Sequence, residues 1–110
     1  METTNTAPVT ITTEAAARIY RYGLRPSVDR MLEYMQQNFY GLHAIELDYD
    51  EGAEVRGEAE LHFTVYRKFP PGVERDRTDW EWSGWMARNI PPEVGIHFTS
   101  LTIYEENHAR

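Results

Sequence analysis

Carboxylates and histidines at strand spacing are the first residues of this chain whose types could do chemistry. In the segment EAELH, Glu58, Glu60 and His62 alternate with apolar residues, which predicts that all three lie on one face of a strand. His97 joins them if the last strand is a neighbour. Such a group can hold a divalent metal or supply a general base. The candidate ligands are His62, His97 and Glu60, although the leading interpretation includes no metal.

His43 is a second chemical candidate, because its alternation with Ile45 predicts an inward position on the same strand. An imidazole between sheet and helix, in a pocket with Trp82, Tyr49 and Tyr104, would suit small-molecule binding or acid–base catalysis. The candidate catalytic set is therefore His43, Tyr49 and Tyr104. A hydrogen-bonded core histidine is the alternative for His43.

Several classes of chemistry have no support in the sequence. The chain has no cysteine, which excludes a disulfide frame, a thiolate nucleophile and thiolate metal ligands. No nucleophile elbow surrounds a serine, and there is no P-loop, dinucleotide glycine pattern or HExxH motif. An enzyme is thus the alternative and not the leading expectation, and we expect no cofactor.

The main electrostatic feature is an acidic segment from position 46 to position 60. Seven carboxylates stand there against a single basic residue, Arg56. We predict that they lie on the outward rows of a hairpin or in its turn, where they would form a negative surface. The candidate partner-binding residues are these seven with two aromatics: Glu46, Asp48, Asp50, Glu51, Glu54, Glu58, Glu60, Tyr66 and Trp85. The alternative is a solvated face that keeps the protein soluble.

The net charge of −7 indicates what kind of partner such a surface would bind. Nucleic acid is disfavoured as a direct partner, because phosphate binding depends on clustered lysine and arginine. A basic protein surface is the expected partner, including that of a nucleic-acid-binding protein. A basic stripe of Arg18, Arg21 and Arg25 could bind an anion or pair with the acidic hairpin of a second copy.

Two helices are predicted in the first part of the chain. Thr12 or Thr13 caps a short helix that Gly23 ends, and a second helix begins near Pro26 and ends at Gly41. An apolar stripe at helical spacing marks the second helix. It consists of Val28, Met31, Leu32, Met35 and Phe39.

After position 41 the apolar period changes to two, which predicts strands. We expect strands at positions 45–49, 55–69 and 79–88, and a last strand at 96–105 with a bulge near Thr99 or Ser100. The expected fold is α+β, with two N-terminal helices packed on a four-stranded antiparallel meander in a two-layer sandwich. We expect residues 1–10 to be a flexible tail and residues 11–110 to form a single domain.

The segment DWEWSGW holds all three tryptophans of the chain. As a strand it would place Trp80 and Trp82 in the core and Trp85 on the opposite face, unless Gly84 is a bulge. Trp85 beside Tyr66 would then be a binding residue, because tryptophan is enriched at interfaces. Ordinary packing under a loop is the alternative for Trp85.

The leading functional hypothesis is a small, acidic, non-enzymatic protein that acts by protein–protein contact. Its most specific form is an inhibitor of a nucleic-acid-handling enzyme, of the phage, plasmid or immunity type. One alternative is a small-molecule binder, or an isomerase-like or hydrolase-like enzyme, around His43. Another is a structural component that self-associates, for example as a homodimer. No apolar run is long enough for a membrane span, so we expect no membrane partner and a cytoplasmic location.

Overall fold

The computed structural model describes residues 6–69 and 78–106, in which nine elements follow one another. The strands are β1 (Val9–Ile11), β2 (Leu42–Tyr49), β3 (Leu61–Phe69) and β4 (Phe98–Glu106). The helices are α1 (Thr13–Arg21), α2 (Arg25–Asn38), α3 (Glu51–Val55), α4 (Thr78–Asn89) and α5 (Pro92–Gly95).

The four strands form one mixed sheet in the order β1-β2-β3-β4. β2 and β3 are antiparallel, whereas β1 runs parallel to β2 and β3 runs parallel to β4. The predicted antiparallel meander is therefore wrong. Parallel neighbours need a crossover connection, and here α1 and α2 connect β1 to β2, while α4 and α5 connect β3 to β4.

The first strand was not predicted, because it consists of three residues with little burial. β1 begins at Val9, inside the segment expected to be a tail, and Val9 pairs with Ile45 of β2. Thr12 follows directly and caps α1 by accepting a hydrogen bond from the Ala15 amide at 3.2 Å. Residues 1–5 of the predicted tail lie outside the described residues.

The tryptophan segment is a helix, α4, and not the predicted strand. Its apolar side chains also fit a helical period, since Trp82, Trp85, Met86 and Ile90 recur at spacings of three and four. Trp82 and Ile90 belong to the core, and Trp85 and Met86 pack against it. Gly84, which was expected to be a strand bulge, lies inside this helix.

The predicted strand over residues 55–69 begins six residues later than expected, because α3 comes first. Asp50 caps α3 by accepting a hydrogen bond from the Ala53 amide at 3.3 Å. The chain leaves this helix through Gly57, which has a φ of +76°. Val55, predicted to point into the core, is 82% exposed at the end of α3.

The core lies between one face of the sheet and the helices. The predicted stripe on α2 is confirmed, since Val28, Met31 and Met35 are fully buried. They meet an inward row of the sheet made of Ile45, Leu47, Leu61, Phe63 and Val65. Each such side chain contributes about 1.5–3 kcal/mol through burial. The α+β class of the prediction therefore holds, but its two N-terminal helices on an antiparallel meander do not, since the described residues form five helices and a mixed sheet.

Candidate functional site

The second face of the sheet is not covered by a helix in the described part of the chain. Successive side chains of a strand point to opposite faces, so the rows between the buried residues point outward here. We call this surface the open face. Its outward residues on the three longer strands are Ala44, Glu46, Asp48, His62, Thr64, Tyr66, Lys68, Thr99, Leu101, Ile103 and Glu105.

An apolar patch lies on the β4 side of the open face. Leu101 is 62% exposed and Ile103 is 37% exposed, and they pair with Thr64 and Tyr66 of β3. The bulge predicted near Thr99 is wrong, because the register of β3 and β4 is continuous. The apolar residues change from even to odd positions after Phe98 because Leu101 and Ile103 point to the open face and not to the core. These two residues were missed as site residues although their signal was in the sequence.

Carboxylates lie on the β2 side of the same face. Glu46 and Asp48 are exposed, and the Tyr66 hydroxyl donates a hydrogen bond to Glu46 Oε1 at 3.0 Å. This bond, with burial as a lesser cause, raises the pKa of Tyr66 above its ordinary value, so the hydroxyl remains a donor at neutral pH. Three predicted partner-binding residues, Glu46, Asp48 and Tyr66, thus come together on the open face.

His43 lies on the open face, so its predicted inward position is wrong. The register of β2 and β3 shifts between Leu42 and Ala44, and the extra residue turns His43 outward. Its Nε2 contacts the carboxylate of Glu105, and its ring centre lies 6.1 Å from that of Tyr66.

The predicted catalytic set is therefore not assembled between sheet and helix. Tyr49 binds Arg18 and Glu54 at the other end of β2, and Tyr104 packs edge-on against Phe69 at 5.6 Å. Trp82, the expected wall of that pocket, lies in the core under α4.

The remaining residues of the acidic segment do not share one surface. Asp50 caps α3, while Glu51 and Glu58 are exposed around it. Glu54 is bound by Arg18 and Tyr49, and Glu60 is only 6% exposed. The prediction that all seven carboxylates point outward is wrong at Glu60.

A polar cluster joins α1 to the end of the sheet around Arg18. The guanidinium donates to the hydroxyls of Tyr22 at 3.1 Å and Tyr49 at 2.9 Å, and to the carboxylate of Glu54. Burial lowers the pKa of Arg18, but the bonds with Tyr49 and Glu54 raise it more. At Arg18 the basic stripe thus pairs with the acidic segment of its own chain, whereas the sequence had suggested an anion or the acidic hairpin of a second copy.

The pKa of Glu54 reflects the same contacts from the carboxylate side. Its hydrogen bond from Tyr49 is the largest cause that lowers the pKa below the ordinary value, partial desolvation opposes it, and Arg18 lowers the pKa further. The same bond from Tyr49 to Glu54 raises the pKa of the tyrosine. The cluster is therefore an ionised Arg18–Glu54 pair with a protonated Tyr49 at neutral pH.

The candidate metal ligands are only partly brought together. His97 Nδ1 lies 2.8 Å from Glu60 Oε2, as the sequence suggested for neighbouring strands. His62 points to the open face, where its Nε2 lies 2.9 Å from the carbonyl oxygen of Ala59. Among the described residues no group of three histidine or carboxylate side chains could hold a metal ion.

Trp85 does not lie beside Tyr66 as the strand hypothesis required. It is half-buried between the helices, where it stacks on Tyr34 at 4.6 Å and on Trp82 at 5.6 Å. The guanidinium of Arg30 lies 5.9 Å from its ring centre. The exposed indole is instead that of Trp80, which had been predicted to lie in the core.

The fold and this surface define a small α+β protein with a mixed sheet that is covered on one side. No family model matches the chain, and neither a curated protein nor a solved structure is significantly similar to it. Within residues 6–69 and 78–106, no helix has the length and apolar character needed to cross a bilayer.

Proposed function

We propose that this protein acts by protein–protein contact and that its open face binds a basic surface of the partner. The observation that carries the proposal is the exposed apolar pair Leu101 and Ile103 on a face that also bears Glu46 and Asp48. Protein interfaces combine exposed apolar side chains with polar ones, and here the apolar pair on the edge strand β4 lies across β3 from the carboxylates of β2.

The charges of the open face support a basic partner. Lys68 is the single lysine or arginine among the outward side chains of β2, β3 and β4, and it stands at one end of β3. Strand β2, which carries Glu46 and Asp48, contains no lysine or arginine. Negative potential of this kind raises association rates with positive surfaces and repels phosphate.

An antagonist of a nucleic-acid-handling enzyme is the most specific form of this proposal. Such an enzyme carries a basic groove for phosphates, and a face with alternating carboxylates could occupy it. The net charge of −7 favours an acidic surface that occupies a basic groove over direct binding of nucleic acid.

The test is affinity capture from a lysate of cells that naturally produce the protein. It compares the wild type with variants that each alter one part of the surface. Glu46→Lys/Asp48→Lys reverses the acidic part of the open face, and Leu101→Ser/Ile103→Ser removes its apolar part. A matched control, Glu33→Lys/Glu93→Lys, makes the same charge change at exposed positions on α2 and α5. Charge reversal of Glu60 is unsuitable for this purpose because its side chain is buried.

The expected result is the capture of a basic protein. Its retention should fall at least about tenfold with either open-face variant, which is equivalent to ~1.4 kcal/mol, and should be unchanged with the control. Its retention should also fall with added salt. Equal retention by all variants would overturn the proposal. Capture of second copies of the chain alone would replace it with self-association.

A further inference from the structure

A cleft of about 400 Å³ lies between α4 and the edge strand β4, on the helix side of the sheet. A cavity of about 330 Å³ continues it along β4, and both share Trp82, Ser83 and Ser100 as lining residues. Small-molecule sites in proteins have volumes of roughly 300–1,000 Å³, so the space is large enough for a ligand.

The cleft exists because two small side chains stand where the helix and the strand face each other. Ser83 of α4 and Ser100 of β4 both line it, and neither is large enough to fill the space between the two elements. Both serines are exposed, so the cleft opens to solvent between the helix and the strand.

Aromatic and apolar side chains form one part of the cleft lining, and the hydroxyl-bearing side chains of Ser83, Thr99 and Ser100 form the rest. Phe63 and Phe98 stack with ring centres 5.7 Å apart, and Trp82 and Met86 line the side that belongs to α4. These three rings are at most 9% exposed, so a ligand ring would meet their edges, and edge-to-face packing gains more than the buried area alone provides. The geometry therefore favours a flat aromatic or cyclic ligand.

The polar groups of the cleft are neutral. The indole Nε1–H of Trp82 donates to the Ser100 hydroxyl at 3.2 Å, and the Ser83 hydroxyl stands beside them. No charged side chain is among the described residues that line the two connected cavities. Burying a charged ligand there would cost its hydration without a countercharge, whereas a hydroxyl or carbonyl group can be satisfied.

We propose that the cleft between α4 and β4 is a binding site for a small, uncharged, flat aromatic molecule with one or two hydrogen-bonding groups. The centre of the site, at Trp82, Ser83 and Ser100, lies on the helix side of the sheet, whereas Leu101 lines the second cavity and also belongs to the proposed protein interface. Ser83 lies on α4 and outside the open face, so its substitution tests this proposal and leaves the protein interface intact.

The first experiment compares two fluorescent probes with the same aromatic skeleton. N-phenylnaphthylamine is uncharged, and anilinonaphthalene sulfonate carries a negative charge. We expect saturable binding of the uncharged probe, seen as an increase in its emission, and binding of the anionic probe that is at least about tenfold weaker. Absence of saturable binding, or equal affinity for both probes, would overturn the proposal.

The second experiment places the site with a matched pair of variants on α4. Ser83→Leu fills the cleft with a side chain from an exposed helix position, and Ala87→Leu adds the same side chain at an exposed position that does not line it. Ser83→Leu should weaken the uncharged probe at least about tenfold, while Ala87→Leu should leave its affinity unchanged. Binding to the apolar patch of the open face would survive Ser83→Leu and would overturn the assignment.

Nuclear magnetic resonance provides a readout that does not depend on probe emission. The indole N–H of Trp82 lies at the cleft, whereas that of Trp80 lies on an exposed side chain. Titration with N-phenylnaphthylamine should shift the Trp82 indole resonance in the wild type and in Ala87→Leu. A shift confined to Trp80 would contradict the proposed location.

Discussion

His97 Nδ1 and Glu60 Oε2 lie 2.8 Å apart and join the residue before β4 to the residue before β3. The backbone reinforces this junction, since the Leu61 amide donates to the His97 carbonyl at 2.9 Å. A carboxylate can only accept, so Nδ1 of His97 carries the proton. The pair therefore fixes the start of the parallel register between β3 and β4.

Removal of this hydrogen bond should destabilise the fold. Glu60→Ala leaves the His97 donor without its acceptor at a site where Glu60 is only 6% exposed, and we expect a loss of about 1–3 kcal/mol in the free energy of unfolding. Urea denaturation of the wild type, Glu60→Ala, His97→Ala and the double variant measures the coupling.

A coupling energy of about 0.5–3 kcal/mol is expected for the two groups in contact. Glu58→Ala is the control, two positions earlier in the chain. The carboxylate of Glu58 and its partner Arg56 are both exposed, so we expect a loss below about 1 kcal/mol. A coupling energy near zero would show that the two side chains do not depend on each other.

Tyr49→Phe should raise the pKa of Glu54. The hydrogen bond from the Tyr49 hydroxyl is the largest cause that lowers this pKa below 4.5 in the wild type. Carbon-detected titration of the glutamate carboxyl groups measures the change directly. Tyr20→Phe removes an exposed hydroxyl from α1 and should leave the pKa of Glu54 where it is. An unchanged pKa of Glu54 in Tyr49→Phe would assign the shift to Arg18 and Arg21.

The same contact predicts how stability depends on pH. Because the folded-state pKa of Glu54 is lower than its unfolded value near 4.5, its ionised form stabilises the fold above that pH. This contribution should disappear as pH falls from 4.5 through the folded-state pKa. Urea denaturation across this range should show the difference between wild type and Glu54→Gln shrinking in acid. A constant difference would contradict the assignment.

The helical stripe of α2 could be predicted because Val28, Met31 and Met35 repeat at 3.6 residues and nothing else in the segment competes with that period. The α4 segment was ambiguous. Trp80, Trp82 and Met86 fit a strand, whereas Trp82, Trp85 and Met86 fit a helix, and aromatic residues are common in strands. Tertiary contacts of Trp82 and Trp85 with α2 decide between the two.

The open face was predictable only in part. The outward direction of Glu46, Asp48 and Tyr66 follows from strand alternation, which holds through β2 and β3 after the bulge. The direction of the His43 side chain does not follow from alternation, because the bulge between Leu42 and Ala44 depends on pairing with a distant strand. The parallel position of β4 also depends on a crossover that no local pattern encodes.

Gly41→Ala should destabilise the fold more than Gly23→Ala. Both glycines have positive φ, at +72° and +63°, where an L side chain is strained by roughly 1–2 kcal/mol. A Cβ on Gly41 would in addition meet the Lys68 carbonyl oxygen at 2.0 Å, whereas a Cβ on Gly23 meets nothing within 4 Å. The Gly41 carbonyl accepts from the Lys68 amide at 2.7 Å, so the clash falls on the pairing of β2 with β3. Equal losses of unfolding free energy in the two variants would mean that the backbone before β2 can shift to accommodate the added Cβ.

Iodide quenching of tryptophan fluorescence should depend on Trp80 and not on Trp85. The side chain of Trp80 is 76% exposed, whereas Trp82 is 8% exposed and Trp85 is stacked between Tyr34 and Trp82. Trp80→Phe should therefore remove the quenchable, red-shifted part of the emission, and Trp85→Phe should retain it. The two variants make the same chemical change five residues apart on one helix, so each is the control for the other. If quenching instead disappears with Trp85→Phe, the stack between α2 and α4 is open in solution, and the helix face of the molecule becomes a second candidate for the partner surface.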